Sequence, residues 1–143
     1  MIATGGTREG EPTPLGEAAA FAGGLGEIGA GCWAWLQPNG GLGESNAGLL
    51  VGDGESLLVD TLWDGRLTGR MLESVESLVE ERGAPIATLF NTHGDGDHWY
   101  GNGLLGPSVE IVATDAANEQ MRDEPPAMLT RLVPLGPVSK VLS

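Results

Sequence analysis

The sequence predicts an α/β fold, in which strands and helices alternate along a chain of 143 residues. Short apolar runs bounded by Gly, Pro, Asn or Asp occur through the middle of the chain, and such runs are typical of buried strands. A longer segment between two of these runs carries apolar residues at helical spacing. Strands separated by such a helix favour a sheet with helical crossovers.

The N-terminal elements are predicted to be strands. Residues 27–37 alternate well enough for one strand, which Pro38-Asn39-Gly40-Gly41 ends. A β-hairpin over residues 45–61 follows, with Gly52-Asp53-Gly54 as its turn.

A helix and further αβ units are predicted next. From Asp64 to Arg82 the apolar residues form one stripe for packing against a sheet, and Gly83 and Pro85 stop the helix. Strand 86–90, a loop with a short helical turn, strand 109–113 and a helix over about 115–122 complete the order. Pro125-Pro126 ends that helix, and the tail to Ser143 receives no assignment.

The loop after strand 86–90 contains both histidines of the chain, His93 and His98, with Asp95 and Asp97 between them. Imidazole and carboxylate groups are the usual ligands of Zn²⁺ and related ions, and intervening glycines let a short loop bring several of them to one point. The loop also lies where α/β proteins tend to place their chemistry. The alternative is an ordinary polar turn, because Gly and Asp are common loop residues.

The segment from Thr92 to Asn102 resembles the metallo-β-lactamase-fold superfamily of hydrolases. That signature is a strand, Thr-His, x, His, x, Asp-His and then a Gly-rich pair, which Thr92-His93-Gly94-Asp95-Gly96-Asp97-His98 and Gly101-Asn102 match except at Asp95. The family usually has its second histidine there. The hairpin over 45–61 is similar to the N-terminal hairpin of the family, whose second strand ends in an aspartate near the metal loop.

The resemblance covers roughly residues 25 to 120 and implies the first αβ half of an αββα four-layer fold. Family members take further ligands from a second αβ half, yet this chain has no histidine after His98. Two alternatives stay open, a fragment of a longer protein or the loss of the full dinuclear site. We expect the fragment, since the family domain runs beyond about 200 residues. Residues 1–24 are then a flexible lead-in, and residues 25–143 the N-terminal half of the domain.

The resemblance also implies roles for individual residues. His93 and Asp95 would serve a first metal, while Asp97 and His98 would serve a second, and Asp97 would orient the attacking water as the catalytic residue. Asp60 would accept a hydrogen bond from a metal-bound imidazole, although it could equally be a strand-end aspartate that makes a turn. Zn²⁺ is the expected cofactor, as one ion or two. Asp95, a harder oxygen ligand, would also admit Mn²⁺ or Fe²⁺.

The implied function is a metal-dependent hydrolase that uses a metal-activated water on an ester, thioester or lactone. The motifs look most like bacterial lactonases and thioesterases, and some aromatic-polyketide cyclases are similar. The alternative is a non-catalytic metal-binding half-domain, or a subunit whose partner completes the site. The aromatic residues Trp63, Trp99 and Tyr100 could wall a substrate pocket, but packing is their commoner role.

Composition limits the partners. A net charge of −13 argues against nucleic acid and anionic membrane surfaces as partners. The resemblance implies a small-molecule substrate and, for an incomplete domain, a homo-oligomer or a missing C-terminal half as the partner. The single Cys32 excludes an internal disulfide and is predicted to be a small buried residue. No apolar run approaches the ~20 residues of a membrane span, and the first 24 residues lack a secretory pattern, so we expect a cytoplasmic protein.

Overall fold

The computed structural model describes residues 8–13, 16–38 and 45–123, which form a six-stranded sheet with helices. The strands, in chain order, are β1 (Gly24–Gly29), β2 (Cys32–Leu36), β3 (Ala47–Val51), β4 (Ser56–Val59), β5 (Ile86–Asn91) and β6 (Glu110–Ala113). Strands β1 to β4 pair antiparallel, whereas β4 with β5 and β5 with β6 pair parallel. The predicted α/β fold is confirmed.

The prediction of a single strand over residues 27–37 is wrong, because the chain forms a hairpin of two strands there, β1 and β2. The chain turns at Ala30 and Gly31, and Gly31 has a φ of +71°, which glycine adopts without steric cost. A Cβ at Gly31 would lie 2.9 Å from the carbonyl oxygen of Val51. Because the alternation of apolar residues continues through this tight turn, the sequence pattern does not indicate where the turn lies.

The second hairpin confirms its prediction. Strands β3 and β4 are joined by residues 52–55, where the Gly52 N–H donates to the Glu55 carbonyl over 2.9 Å. Gly54 has a φ of +89°. The Gly-Asp-Gly sequence therefore makes the turn that was predicted.

The helix α1 (Gly65–Arg82) connects β4 to β5 and confirms the prediction over 64–82. Asp64 caps its N-terminus by accepting from the Leu67 N–H over 2.6 Å, and Gly83 ends it in the left-handed conformation. Its apolar stripe packs on one face of the sheet to form the core, whose buried members are Leu25, Trp35, Ala47, Leu49, Leu58, Leu62, Leu67, Met71, Leu72, Val75, Val79 and Leu89.

The opposite face of the sheet is less well covered within the described residues. The register places Leu50, Leu57 and Thr88 side by side on that face, with Cys32 at the β2 end. Leu50 is 46% exposed, and Leu57 and Cys32 are half-buried. Cys32 is thus not the buried residue that was predicted, because its strand turns it away from α1.

The remaining described residues add small elements. In the N-terminal region, Pro12 and Ala18 form an isolated antiparallel bridge. The helix α2 (Asp115–Asp123) follows β6, close to its predicted bounds. The predicted break at Pro125-Pro126 and the tail lie outside the described residues. Among the helices described, none has the length and apolar character needed to cross a bilayer.

Candidate metal centre

The predicted metal loop begins where β5 ends, and it lies beside the end of β4. Because β4 and β5 are parallel neighbours, their carboxyl ends meet at the same edge of the sheet. The Asp60 N–H donates to the Phe90 carbonyl over 2.9 Å, which continues the strand pairing into the site. Asp60 has a φ of +62°, which is unusual for a residue with a side chain, and it lies where the chain leaves β4 on its way to α1.

Close packing explains the glycines of the loop. A Cβ at Gly94 would overlap the Gln120 side chain of α2, and a Cβ at Gly96 would overlap the ring of Tyr100. The Gly94 N–H donates to Gln120 Oε1 over 3.1 Å, and the Gly94 carbonyl accepts from the Trp99 indole N–H over 2.9 Å. The loop is therefore compact, and residues 96–98 form a 3-10 turn within it.

The aromatic residues near the loop are mostly packing residues. Trp99 and Tyr100 are each 2% exposed, and their rings meet edge to face with centroids 5.0 Å apart. Trp63 lies against Tyr100 at 5.5 Å and is half-buried, so it keeps some surface toward solvent.

Asp60 makes three hydrogen bonds beneath the histidines. Its Oδ1 accepts from the Thr92 N–H over 2.8 Å, and its Oδ2 lies 2.7 Å from the Thr92 hydroxyl and 3.0 Å from His98 Nδ1. The residue is only 4% exposed. The structure places Asp60 Oδ2 beside His98 Nδ1, a ring nitrogen of one of the predicted metal ligands.

The four predicted ligands lie in two pairs, His93 with Asp95 and His98 with Asp97. His93 Nε2 lies 3.5 Å from Asp95 Oδ2, and His98 Nε2 lies 3.4 Å from Asp97 Oδ2. The two imidazole rings are 4.2 Å apart between centroids. The exposed fraction of the side chain is 21% for His98 and 28% for Asp97, and it is larger for His93, at 42%, and for Asp95, at 75%.

A second grouping includes Asp60 itself. One donor atom from each of Asp60, His93 and His98 lies within 4.8 Å of the other two. Asp95 and Asp97 are not part of this group of three among the described residues. They lie within 3.5 Å of the two Nε2 atoms, and we call these two His–Asp pairs the outer set.

A buried polar network under His98 was missed in the sequence. The His98 carbonyl accepts from the Thr61 N–H and from Asn91 Nδ2, each over 2.9 Å. Asn102 joins both partners, because its Oδ1 accepts from the Thr61 hydroxyl over 2.8 Å and its Nδ2 donates to Asn91 Oδ1 over 2.7 Å. Thr61 and Asn91 are fully buried and Asn102 is 4% exposed. The Gly101-Asn102 pair of the motif was the available signal for this network.

Comparisons with known proteins identify the family to which this fold belongs. A sequence profile described as the metallo-beta-lactamase superfamily matches residues 40–113. No curated protein matches the chain.

Solved structures give the extent of the likeness. The chain is similar to a metallo-beta-lactamase from Hirschia baltica with 25% identity and a TM-score of 0.57, over 69% of this chain and 46% of that one. It is similar in fold to the metallo-beta-lactamase FIM-1 from Pseudomonas aeruginosa in its mono-zinc form, with 24% identity and a TM-score of 0.56. That match covers 68% of this chain and 44% of the other. It is also similar in fold to a metallo-beta-lactamase from Erythrobacter litoralis, with 24% identity and a TM-score of 0.57. That match covers 70% of this chain and 45% of the other.

The chain thus spans less than half the length of these solved relatives. The profile match nevertheless contains the hairpin of β3 and β4, α1, β5, the loop and β6. With the fold, the loop and the profile in agreement, the chain belongs to the metallo-beta-lactamase superfamily.

Proposed function

We propose that the protein is a metal-dependent hydrolase that acts on a small ester, thioester or lactone, with the loop over residues 92–98 as its metal-binding site. The observation that supports this most is the outer set of donors. Each histidine has its Nε2 atom within 3.5 Å of a carboxylate oxygen, and all four groups are partly open to solvent.

The donor chemistry of the outer set fits a divalent cation. Two imidazole nitrogens and two carboxylates match the ligands of Zn²⁺, and the larger share of oxygen also admits Mn²⁺ or Fe²⁺. Asp60 is the weaker ligand candidate, because both of its oxygens already accept hydrogen bonds. We therefore assign the ligand role to His93, Asp95, Asp97 and His98, and the anchoring role to Asp60.

The residues of the site would have different roles in the reaction. When bound, the cation would lower the pKa of water and polarise the substrate carbonyl. Asp97, half-buried beside His98 Nε2, would accept a hydrogen bond from the attacking water and so orient it. Asp60 and the network of Thr61, Asn91 and Asn102 would keep His98 in place during the reaction.

We also propose, from the sequence, that the protein is cytoplasmic.

A non-catalytic metal-binding module is the second candidate, and ligand number favours it. A catalytic zinc usually has three protein ligands, whereas the roles implied by the resemblance divide the four groups of this loop between two ions, two for each. The chain also spans only 46% of the Hirschia baltica protein. A partner subunit or a further segment would then have to complete the site.

Metal analysis of purified protein tests the proposal. We expect wild type to retain Zn²⁺ after dialysis, and His93→Ala and His98→Ala to lose most of it. Asp53→Ala serves as a control, since Asp53 is an exposed acidic residue in the distant β3–β4 turn. Unchanged metal content in both histidine variants would refute the site.

Hydrolysis separates the two candidates. A version of the protein extended to the length of the solved relatives is assayed with Zn²⁺ against a nitrophenyl ester, an acyl thioester and a lactone. Metal-dependent turnover of any of them supports the hydrolase. Tight metal binding with no turnover of any of the three favours the binding module.

A further inference from the structure

The Thr92 hydroxyl links the Asp60 carboxylate to the imidazole of His93. Thr92 Oγ1 lies 2.7 Å from Asp60 Oδ2 and 2.8 Å from His93 Nδ1. A carboxylate only accepts hydrogen bonds, so the single hydroxyl proton is directed to Asp60. The hydroxyl oxygen must then accept from His93, which requires the proton of that ring to sit on Nδ1.

The Asp60 carboxylate also contacts the other histidine, His98, directly. His98 Nδ1 lies 3.0 Å from Asp60 Oδ2, within normal hydrogen-bond distance, so this ring also carries its proton on Nδ1. The Thr92 N–H fixes the other oxygen of Asp60 over 2.8 Å. One buried aspartate therefore determines the tautomers of both rings, of His98 directly and of His93 through Thr92.

The contacts of the Nε2 atoms compete only weakly with this arrangement. The separations of 3.5 Å from His93 Nε2 to Asp95 and 3.4 Å from His98 Nε2 to Asp97 exceed the usual range for an N–H···O hydrogen bond. The short contacts lie on the Nδ1 side of each ring, and they leave both Nε2 lone pairs free.

We propose that Thr92 is a positioning residue, which together with Asp60 holds the neutral His93 in its Nδ1–H tautomer and so presents Nε2 for metal binding. A neutral imidazole free in water prefers the proton on Nε2, which would block that ligand atom. The hydrogen bond at the other nitrogen decides the tautomer, and here Thr92 supplies it. This inference rests on the proposed function only in its claim about metal affinity.

Nuclear magnetic resonance of the metal-free 143-residue chain tests the tautomers directly. The chain has two histidines, so a long-range ¹H–¹⁵N spectrum of ¹⁵N-labelled imidazoles contains two ring patterns. At roughly pH 8.5, where ordinary imidazoles are neutral, we expect Nδ1–H for both rings in wild type. A wild-type His93 that is predominantly Nε2–H would overturn the inference without any variant.

A matched pair of variants isolates the hydroxyl. Thr92→Val keeps the shape of the side chain and removes the oxygen, whereas Thr92→Ser keeps the hydroxyl. We expect Thr92→Val to shift His93 toward Nε2–H and to leave His98 on Nδ1–H, because Asp60 still contacts His98. Thr92→Ser should resemble wild type. A His93 ring that stays Nδ1–H in Thr92→Val contradicts the inference.

Chelator competition with Zn²⁺ gives the second readout. Loss of a hydrogen-bonding partner of a metal-bound histidine typically weakens metal binding by about 10–100-fold, so Thr92→Val should fall in that range and Thr92→Ser should stay near wild type. Equal affinity in all three proteins would refute the link between tautomer and binding. If the tautomers behave as expected but wild type binds no Zn²⁺, the inference is supported and the proposed metal site fails.

Discussion

Asp95 is the residue at which this chain departs from the superfamily pattern. It stands where the family usually has a histidine, and its carboxylate lies 3.5 Å from His93 Nε2 with 75% of the side chain exposed. Imidazole is a better ligand for Zn²⁺ than a hard carboxylate oxygen. We therefore predict that Asp95→His raises the affinity for Zn²⁺, measured by competition with a chelator.

The control for that prediction is Asp53→His, which adds the same imidazole to the exposed turn between β3 and β4. Its affinity should equal that of wild type. If Asp95→His binds Zn²⁺ no more tightly than wild type, then Asp95 does not contact the metal.

Residues close in sequence could be predicted as a site, whereas contacts across the sheet could not. His93, Asp95, Asp97 and His98 fall within six positions, so their proximity follows from the loop alone. Asp60 was added through the family resemblance. The hydrogen bonds that Thr92 donates to Asp60 span 32 positions, and they depend on the register of β4 against β5, which the sequence leaves open.

At the scale of elements, two glycines have opposite roles. Gly69 lies inside α1, and a Cβ added there would have nothing within 4 Å, whereas a Cβ at Gly101 would overlap the side chain of Thr68. We predict that Gly69→Ala stabilises the protein by about 1 kcal/mol, because alanine restricts the unfolded chain and favours the helix. Gly101→Ala should destabilise it by roughly 1–3 kcal/mol through overpacking.

Urea unfolding followed by circular dichroism measures both variants. Similar midpoints for Gly69→Ala and Gly101→Ala would mean that the loop can move away from α1 at no cost. That result would also weaken the account of the loop as a closely packed unit.

Elements with complete local signals were predicted well. The helix α1 has a capping aspartate, an apolar stripe and a terminal glycine, and its predicted and observed bounds agree within one residue. The hairpin of β1 and β2 lacks such signals, since Ala30-Gly31 is a weak turn sequence beside glycines that recur at 24, 26 and 29. Only pairing in three dimensions divides that segment into two strands.

At the scale of the whole molecule, the chain carries about half of the length of its solved relatives. It spans 46% of the Hirschia baltica protein, and its loop offers four candidate ligands for what would be one or two ions. We predict that the 143-residue chain with added Zn²⁺ hydrolyses esters, thioesters and lactones far more slowly than a version extended to the relatives' length. Equal metal-dependent rates for the two would show that the loop suffices for catalysis.

The strand order of the sheet has a consequence for folding kinetics. Every strand is hydrogen-bonded to its neighbour in sequence, from β1 to β6, so each pairing closes a loop within a short stretch of chain. Closure entropy grows with loop length, and the largest closure in the sheet is the one from β4 through α1 to β5. The contact between Asp60 and Thr92 forms only when that closure is complete. Acquisition of metal affinity during refolding should therefore follow the slowest pairing step and lag behind formation of the two N-terminal hairpins.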